Sequence, residues 1–238
     1  MCQMCPRKVG GSSAMDQIPL ARRIRAGLDI VAGLTIVAAY VVLLTDQVQA
    51  GTFEPGKHFA YFTNQTSYSN IVVLLAGGYL ALSRQADTVL YTTIRANFVA
   101  YAFVVGVVYN ALLRGPDDFG FHNEVTHVII PVYLVTDWVM RSARPRIGWK
   151  TVWIGISYPV AWLGLTLLRA PSVEWYPYFF IDPTGPSGWG GVGIYVLAIA
   201  VVFAGLISAQ VALNHAQARK RETIPPFSTQ TTVSYLEK

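Results

Sequence analysis

The sequence predicts an all-α fold, an integral membrane bundle of six transmembrane helices with both termini cytoplasmic. Three observations carry this expectation. Hydrophobic residues make up 53% of the 238-residue chain and charged ones only 13%, about half of the roughly one quarter usual in soluble domains. Six apolar stretches approach the roughly 20 residues a helix needs to cross a hydrocarbon core of about 30 Å. Basic residues alternate in density from loop to loop, as cytoplasmic retention of Lys and Arg requires.

In chain order, residues 1–23 read as a polar cytoplasmic tail. Its Cys2 and Cys5 form a lone C-x-x-C, which supplies two of the roughly four ligands of a zinc site and sits in no thioredoxin-like strand and helix. No chemistry is expected there. The first apolar run follows 27 mostly polar residues and has no small-residue cleavage site after it, unlike a signal peptide. The predicted spans are Leu28–Thr45, Thr63–Leu82, Leu90–Leu113, Val125–Met140, Thr151–Leu168 and Val192–Leu213. The fourth reaches spanning length only if its helix begins in the polar "HNEV" at residues 122–125. Residues 24–215 thus form one transmembrane domain without internal repeats. Residues 216–238 form a second cytoplasmic tail, polar and without hydrophobic periodicity.

With both termini inside, 15 of the 18 Lys and Arg residues fall in inner segments, leaving Lys57, Arg114 and Arg169 outside. The net charge of +5 therefore reads as a topology signal of a multi-pass protein of the cell membrane, with no nucleic-acid partner. The outer loop "RAPSVEWYPYFFIDPTGPSGWGG" carries Trp175, Tyr176, Tyr178, Phe179, Phe180 and Trp189 among prolines and glycines. Rings with one wet end suit the headgroup layer. An anchor is the expected role of this loop, and a lid over a lipid site is the sharper alternative.

Polar residues inside spans are expensive and are functional candidates by default. In "FTNQTSYSN", Thr63, Thr66, Ser67 and Asn70 follow i, i+3, i+4, i+7 spacing and share an arc of about 100°. Taken singly, each suits helix packing. On the fourth helix Asn123 and His127 share a face, whereas His122 and His127, five apart, diverge by roughly 140° in an α-helix. With Glu124 between them these histidines do not form H-E-x-x-H, so no metal or other cofactor is expected, and His122 and Glu124 read as interfacial. Asp137, near the inner end, is expected to pair with Arg84, Arg95 or Arg141.

The second and fourth helices both run inward, so Thr63 and His127 share the outer leaflet. A hydroxyl and an imidazole at one depth are the minimal parts for nucleophilic acyl transfer. Gln65, Ser67, Asn70 and Asn123 are the candidate substrate or oxyanion contacts. A lone His in a bundle equally serves packing or hydrogen bonding. The same stripe suits a non-enzymatic lipid- or small-molecule-binding protein or a transporter, although transporters more often show repeats and broken helices.

Taken in order, "YFTNQTSYSN", "HVIIPVYLVTDW" and "WYPYFFIDP" resemble the androgen-induced-gene family of multipass membrane proteins, including its bacterial relatives, over most of residues 28–213. The resemblance implies six or so membrane helices. From the characterised animal members it also implies hydrolysis of fatty-acid esters of hydroxy fatty acids by a threonine and a histidine. Carried over by motif, these are Thr63 and His127, with a lipid ester as substrate and membrane lipids as partners. The sequence departs from the family in two places. Thr66 and Ser67 follow Thr63, which allows the nucleophile to shift by one turn, and "HNEVTH" stands where animal members tend to carry an Asn-His pair.

Overall fold

The computed structural model describes residues 18–116 and 118–223, and all regular structure among them is helical. Cys2 and Cys5 lie outside the described residues. The elements are α1 (Leu20–Gln49), a short α2 (Pro55–His58), α3 (Phe62–Leu82), α4 (Val89–Val108), α5 (Phe121–Glu124), α6 (Ile130–Met140), α7 (Lys150–Val173) and α8 (Gly188–Thr223). A π-helical turn, Tyr109–Leu113, extends α4, and another, Val125–Ile129, joins α5 to α6. Each of the six apolar stretches lies within this helical framework. Four helices are long and apolar enough to cross a membrane: α1, α4 with its π turn, α7 and α8. The other two, α3 and α5–α6, are the ones that carry the polar residues of "FTNQTSYSN" and "HNEVTH".

Helix ends follow local chemistry. Thr88 caps α4, its hydroxyl accepting from the Tyr91 N–H. The Arg22 guanidinium donates to the Leu80 and Ala81 carbonyls, satisfying the end of α3. Arg144 does the same for α6, donating to the Trp138 and Arg141 carbonyls.

α1 lies along α3, and α4 touches α3, α6, α7 and α8. The apolar window of α4 is 56% buried, against 11% in α7 and 17% in α8, so α4 is the central pillar. α7 and α8 turn Leu165, Leu168, Ile194 and Leu197 outward, as lipid-facing helices do. Ile36, Leu74, Val99, Leu134, Trp138 and Ile207 form the main core.

Pro131, Pro159 and Pro171 interrupt the framework, and α4 repairs the breaks at the first two. Pro159 lacks the N–H that would bond the Gly155 carbonyl four residues earlier; the Tyr101 hydroxyl donates to that carbonyl at 2.7 Å. Pro131 stands four residues after His127, and Asn110 Nδ2 donates to the His127 carbonyl at 3.1 Å and to Gly106 O at 2.7 Å. Gly106 permits the close approach, since a Cβ there would lie 2.8 Å from the His127 carbonyl.

Candidate functional site

The end of α1, the start of α3, the π turn of α4 and the start of α5–α6 meet at one end of the bundle, bringing Tyr40, Thr63, Tyr109 and His127 into one region. Thr63 lies in the first turn of α3. Its N–H and its hydroxyl both lie 3.3 Å from the Tyr178 hydroxyl. Thr63 lines an apolar cavity of about 120 Å³ with Phe62, Val105, Tyr109, Tyr178 and Phe180. Thr66 does not compete for this position, because its hydroxyl donates back to the Phe62 and Thr63 carbonyls at 2.9 and 3.0 Å. Of the four hydroxyl and amide residues in the stripe, Thr63 is therefore the one that faces the cavity.

The other candidates have separate tasks. Gln65 spans from the Phe59 carbonyl to the Tyr158 hydroxyl, 2.8 Å each, and acts as a brace. Ser67 is buried beside the Tyr40 phenol. Asn70 is buried with its Oδ1 unpartnered. Asn123 donates from its amide to Asp118, which also accepts the Tyr109 phenol, so this side chain serves the loop before α5. Glu124 pairs with Arg114.

His127 sits in the π turn between α5 and α6. Its Nδ1 lies 3.0 Å from both Asn123 O and the Thr126 hydroxyl, and the latter already donates to His122 O at 2.8 Å. An Nδ1–H donated to Asn123 O leaves Nε2 as the basic nitrogen. The imidazole stacks on Tyr109, with centroids 3.6 Å apart and planes within 11°. It lines a separate groove of about 510 Å³ with Gly106, Asn110, Arg114, Glu124 and Pro131.

Thr63 and His127 thus share an end of the bundle but face different spaces, and no hydrogen bond joins them. Tyr109 is common to both, lining the cavity of Thr63 and covering one face of the His127 imidazole. The π turn also revises the register of the two histidines. Bonding from i to i+5 brings residues five apart together, and the His122 and His127 rings lie 6.5 Å apart rather than on divergent faces. His122 packs edge-on against Tyr40 at 4.7 Å. Among the described residues no group of three or more His, Cys, Asp or Glu is placed to hold a metal ion.

Sequence reasoning did not single out Tyr109 or Asn110, and it named Tyr178 only as one aromatic of the outer loop. The aromatic loop divides into two parts: Tyr178, Phe180 and Ile181 line the cavity, while Phe179 and Trp189 are 57% and 65% exposed. Burial pushes the Tyr178 phenol up to about 12, so it donates or accepts hydrogen bonds as a neutral group. Asn110 was visible as a lone amide in the apolar run "VVYNALL".

The opposite end of the bundle is ionic. Arg95 Nη2 lies 2.6 Å from Asp29 and 2.8 Å from Asp137. Its Nη1 donates to Asp29 at 3.2 Å and to the Tyr91 hydroxyl at 2.8 Å. Tyr133 also donates to Asp29, at 2.7 Å. Arg141 pairs with Asp87 and lies 3.9 Å from Asp137, so Asp137 meets Arg95 and Arg141, both among the partners expected for it. Comparison of the chain with models of protein families, with curated proteins and with solved structures finds no match.

Proposed function

We propose that this chain is a six-span protein of the cell membrane, both termini cytoplasmic, that admits a lipid ester to the Thr63 cavity and hydrolyses it. The observation that carries the reading is Thr63 itself, a hydroxyl presented to an apolar cavity in a chain built of membrane-type helices. The likeness of "YFTNQT" and "HVIIP" to the androgen-induced-gene family supports the same chemistry. The Thr63 oxygen attacks the ester carbonyl as His127 takes its proton. The carbon–oxygen bond to the leaving alcohol breaks as His127 returns that proton, and water releases the acid from the acyl-threonine. Because Tyr109 covers the imidazole, this reaction requires its ring to swing aside when substrate enters.

A second reading, lipid binding without turnover, is favoured by the present hydrogen bonds, in which Thr63 is held by Tyr178 and His127 by Asn123. Purified protein supplied with long-chain esters and a fluorophosphonate probe separates the two. The hydrolase reading expects turnover and labelling that Thr63→Ala and His127→Ala each abolish while the thermal midpoint holds. Turnover that survives either substitution refutes the assignment, and retained lipid with no turnover selects the binding reading.

A further inference from the structure

We propose that the ionic end of the bundle is an anion site for a phosphate group, built on Arg25, Arg141 and Arg144. Four arginines gather there, Arg25, Arg95, Arg141 and Arg144, against three aspartates, Asp29, Asp87 and Asp137. The surplus is visible atom by atom. Buried donors without a hydrogen-bond partner at this end are Arg25 Nε and Nη2, Arg95 Nε, Arg141 Nη1, Arg144 Nη1 and Trp138 Nε1. These six donors stand against one amide acceptor, Gln217 Oε1, and the Thr92 hydroxyl, and no carboxylate oxygen among the described residues is left in the same condition. A buried N–H on a charged group costs free energy until something accepts from it. The missing partner therefore accepts only and carries negative charge.

The geometry gives the site a centre. Arg25 approaches Asp29 and Asp87 to 3.7 Å without hydrogen-bonding either, and Arg141 holds the other oxygen of Asp87. The two guanidinium groups thus flank one carboxylate. The Arg144 guanidinium carbon sits over Trp138, 3.8 Å from the ring centroid, with Nη1 without a hydrogen-bond partner. Burial, and then the neighbouring Arg25 and Arg144 charges, lower the pKa of Arg141, a repulsion that a bound anion relieves. Several guanidinium forks match the oxygens of a phosphate well. Arg25 keeps 20% of its side-chain surface exposed, which gives access. The site shares no residue with the Thr63 cavity and does not rest on the ester chemistry. The phosphate belongs either to a phospholipid headgroup or to the free ion.

The test uses the full chain in a neutral detergent, titrated with inorganic phosphate, short-chain phosphatidic acid or diacylglycerol of the same chain length at matched ionic strength, with the thermal midpoint as readout. A saturable rise with phosphatidic acid alone assigns a lipid headgroup; a rise with inorganic phosphate as well assigns the phosphate group itself. Arg25→Gln and Arg141→Gln should each weaken the affinity roughly tenfold, about 1.4 kcal/mol, while the exposed Arg219→Gln leaves it unchanged. Arg25 holds Asp29 and Asp87 only through ion-pair contacts of 3.7 Å, so its variant folds with a lowered starting midpoint, and the shift on titration, read against that starting value, decides the matter if Arg141→Gln does not fold. No saturable shift with either phosphate compound, or an unchanged titration in Arg25→Gln, overturns the proposal and assigns the free donors to water.

Discussion

The two ends of the bundle bury polar groups by opposite means. At the Thr63 end the buried network is neutral, with the charged Arg114, Glu124 and Asp118 kept to its part-exposed margin: Tyr40 donates to Asn64 at 2.8 Å, Asn64 donates to the His58 carbonyl at 2.7 Å, and His58 Nε2 meets the Tyr68 hydroxyl at 2.8 Å. Around Arg95 it is charged and shared, with Asp29 accepting from Arg95 and Tyr133 together. A neutral group that loses one partner forfeits a single modest bond, whereas an ion that loses its partner remains as an uncompensated buried charge. The ionic end therefore sets the stability of the fold, and the neutral end is free to host chemistry.

The largest test of that contrast is Asp29→Asn. Leaving Arg95 short of its main counter-ion should cost about 3–5 kcal/mol, seen as a strongly lowered thermal midpoint or loss of folded protein in detergent. Gly77→Ala probes the same network sterically. A Cβ there would lie 2.7 Å from both Arg95 Nη1 and Asp29 Oδ2 and against the Tyr91 hydroxyl, so a loss of about 1–3 kcal/mol is expected in the same assay. At the neutral end Asn110→Ala removes the donor to the His127 carbonyl and should cost about 1 kcal/mol. A loss as large as that of Asp29→Asn would erase the contrast. The smallest effect concerns His58, whose pKa burial lowers. The unfolded chain then binds the extra proton, so His58 contributes fully above its ordinary value of about 6.5. That contribution fades as pH falls toward the folded value, and the decline in midpoint between neutral and mildly acidic pH should shrink in His58→Gln.

The apolar segments were legible because bilayer thickness dictates their length, and the pairing of Asp137 because a charge in a span requires a partner. The placement of Thr63 and His127 at one end of the bundle followed from counting helix directions. What separates them did not follow, since it depends on two π turns that no residue type announces. The spacing of His127 and Pro131 does show that the His127 carbonyl cannot accept from the residue four positions later, but not that Asn110 would answer it. The path of the aromatic loop was equally hidden. Tyr178 and Phe179 are adjacent and alike in composition, yet one lines the cavity and the other is exposed.

Tyr101 and Asn110 act together as two pins in one shaft. They are nine residues apart on the central pillar, about 13.5 Å of helix, and each fits a carbonyl vacated by a proline in a different neighbour. Sliding or turning α4 would withdraw both pins at once. A single inserted or deleted residue between positions 101 and 110 would turn one pin by about 100° relative to the other. This stretch should therefore reject every change of length and, at Gly106, where a Cβ would meet the His127 carbonyl, every larger side chain as well.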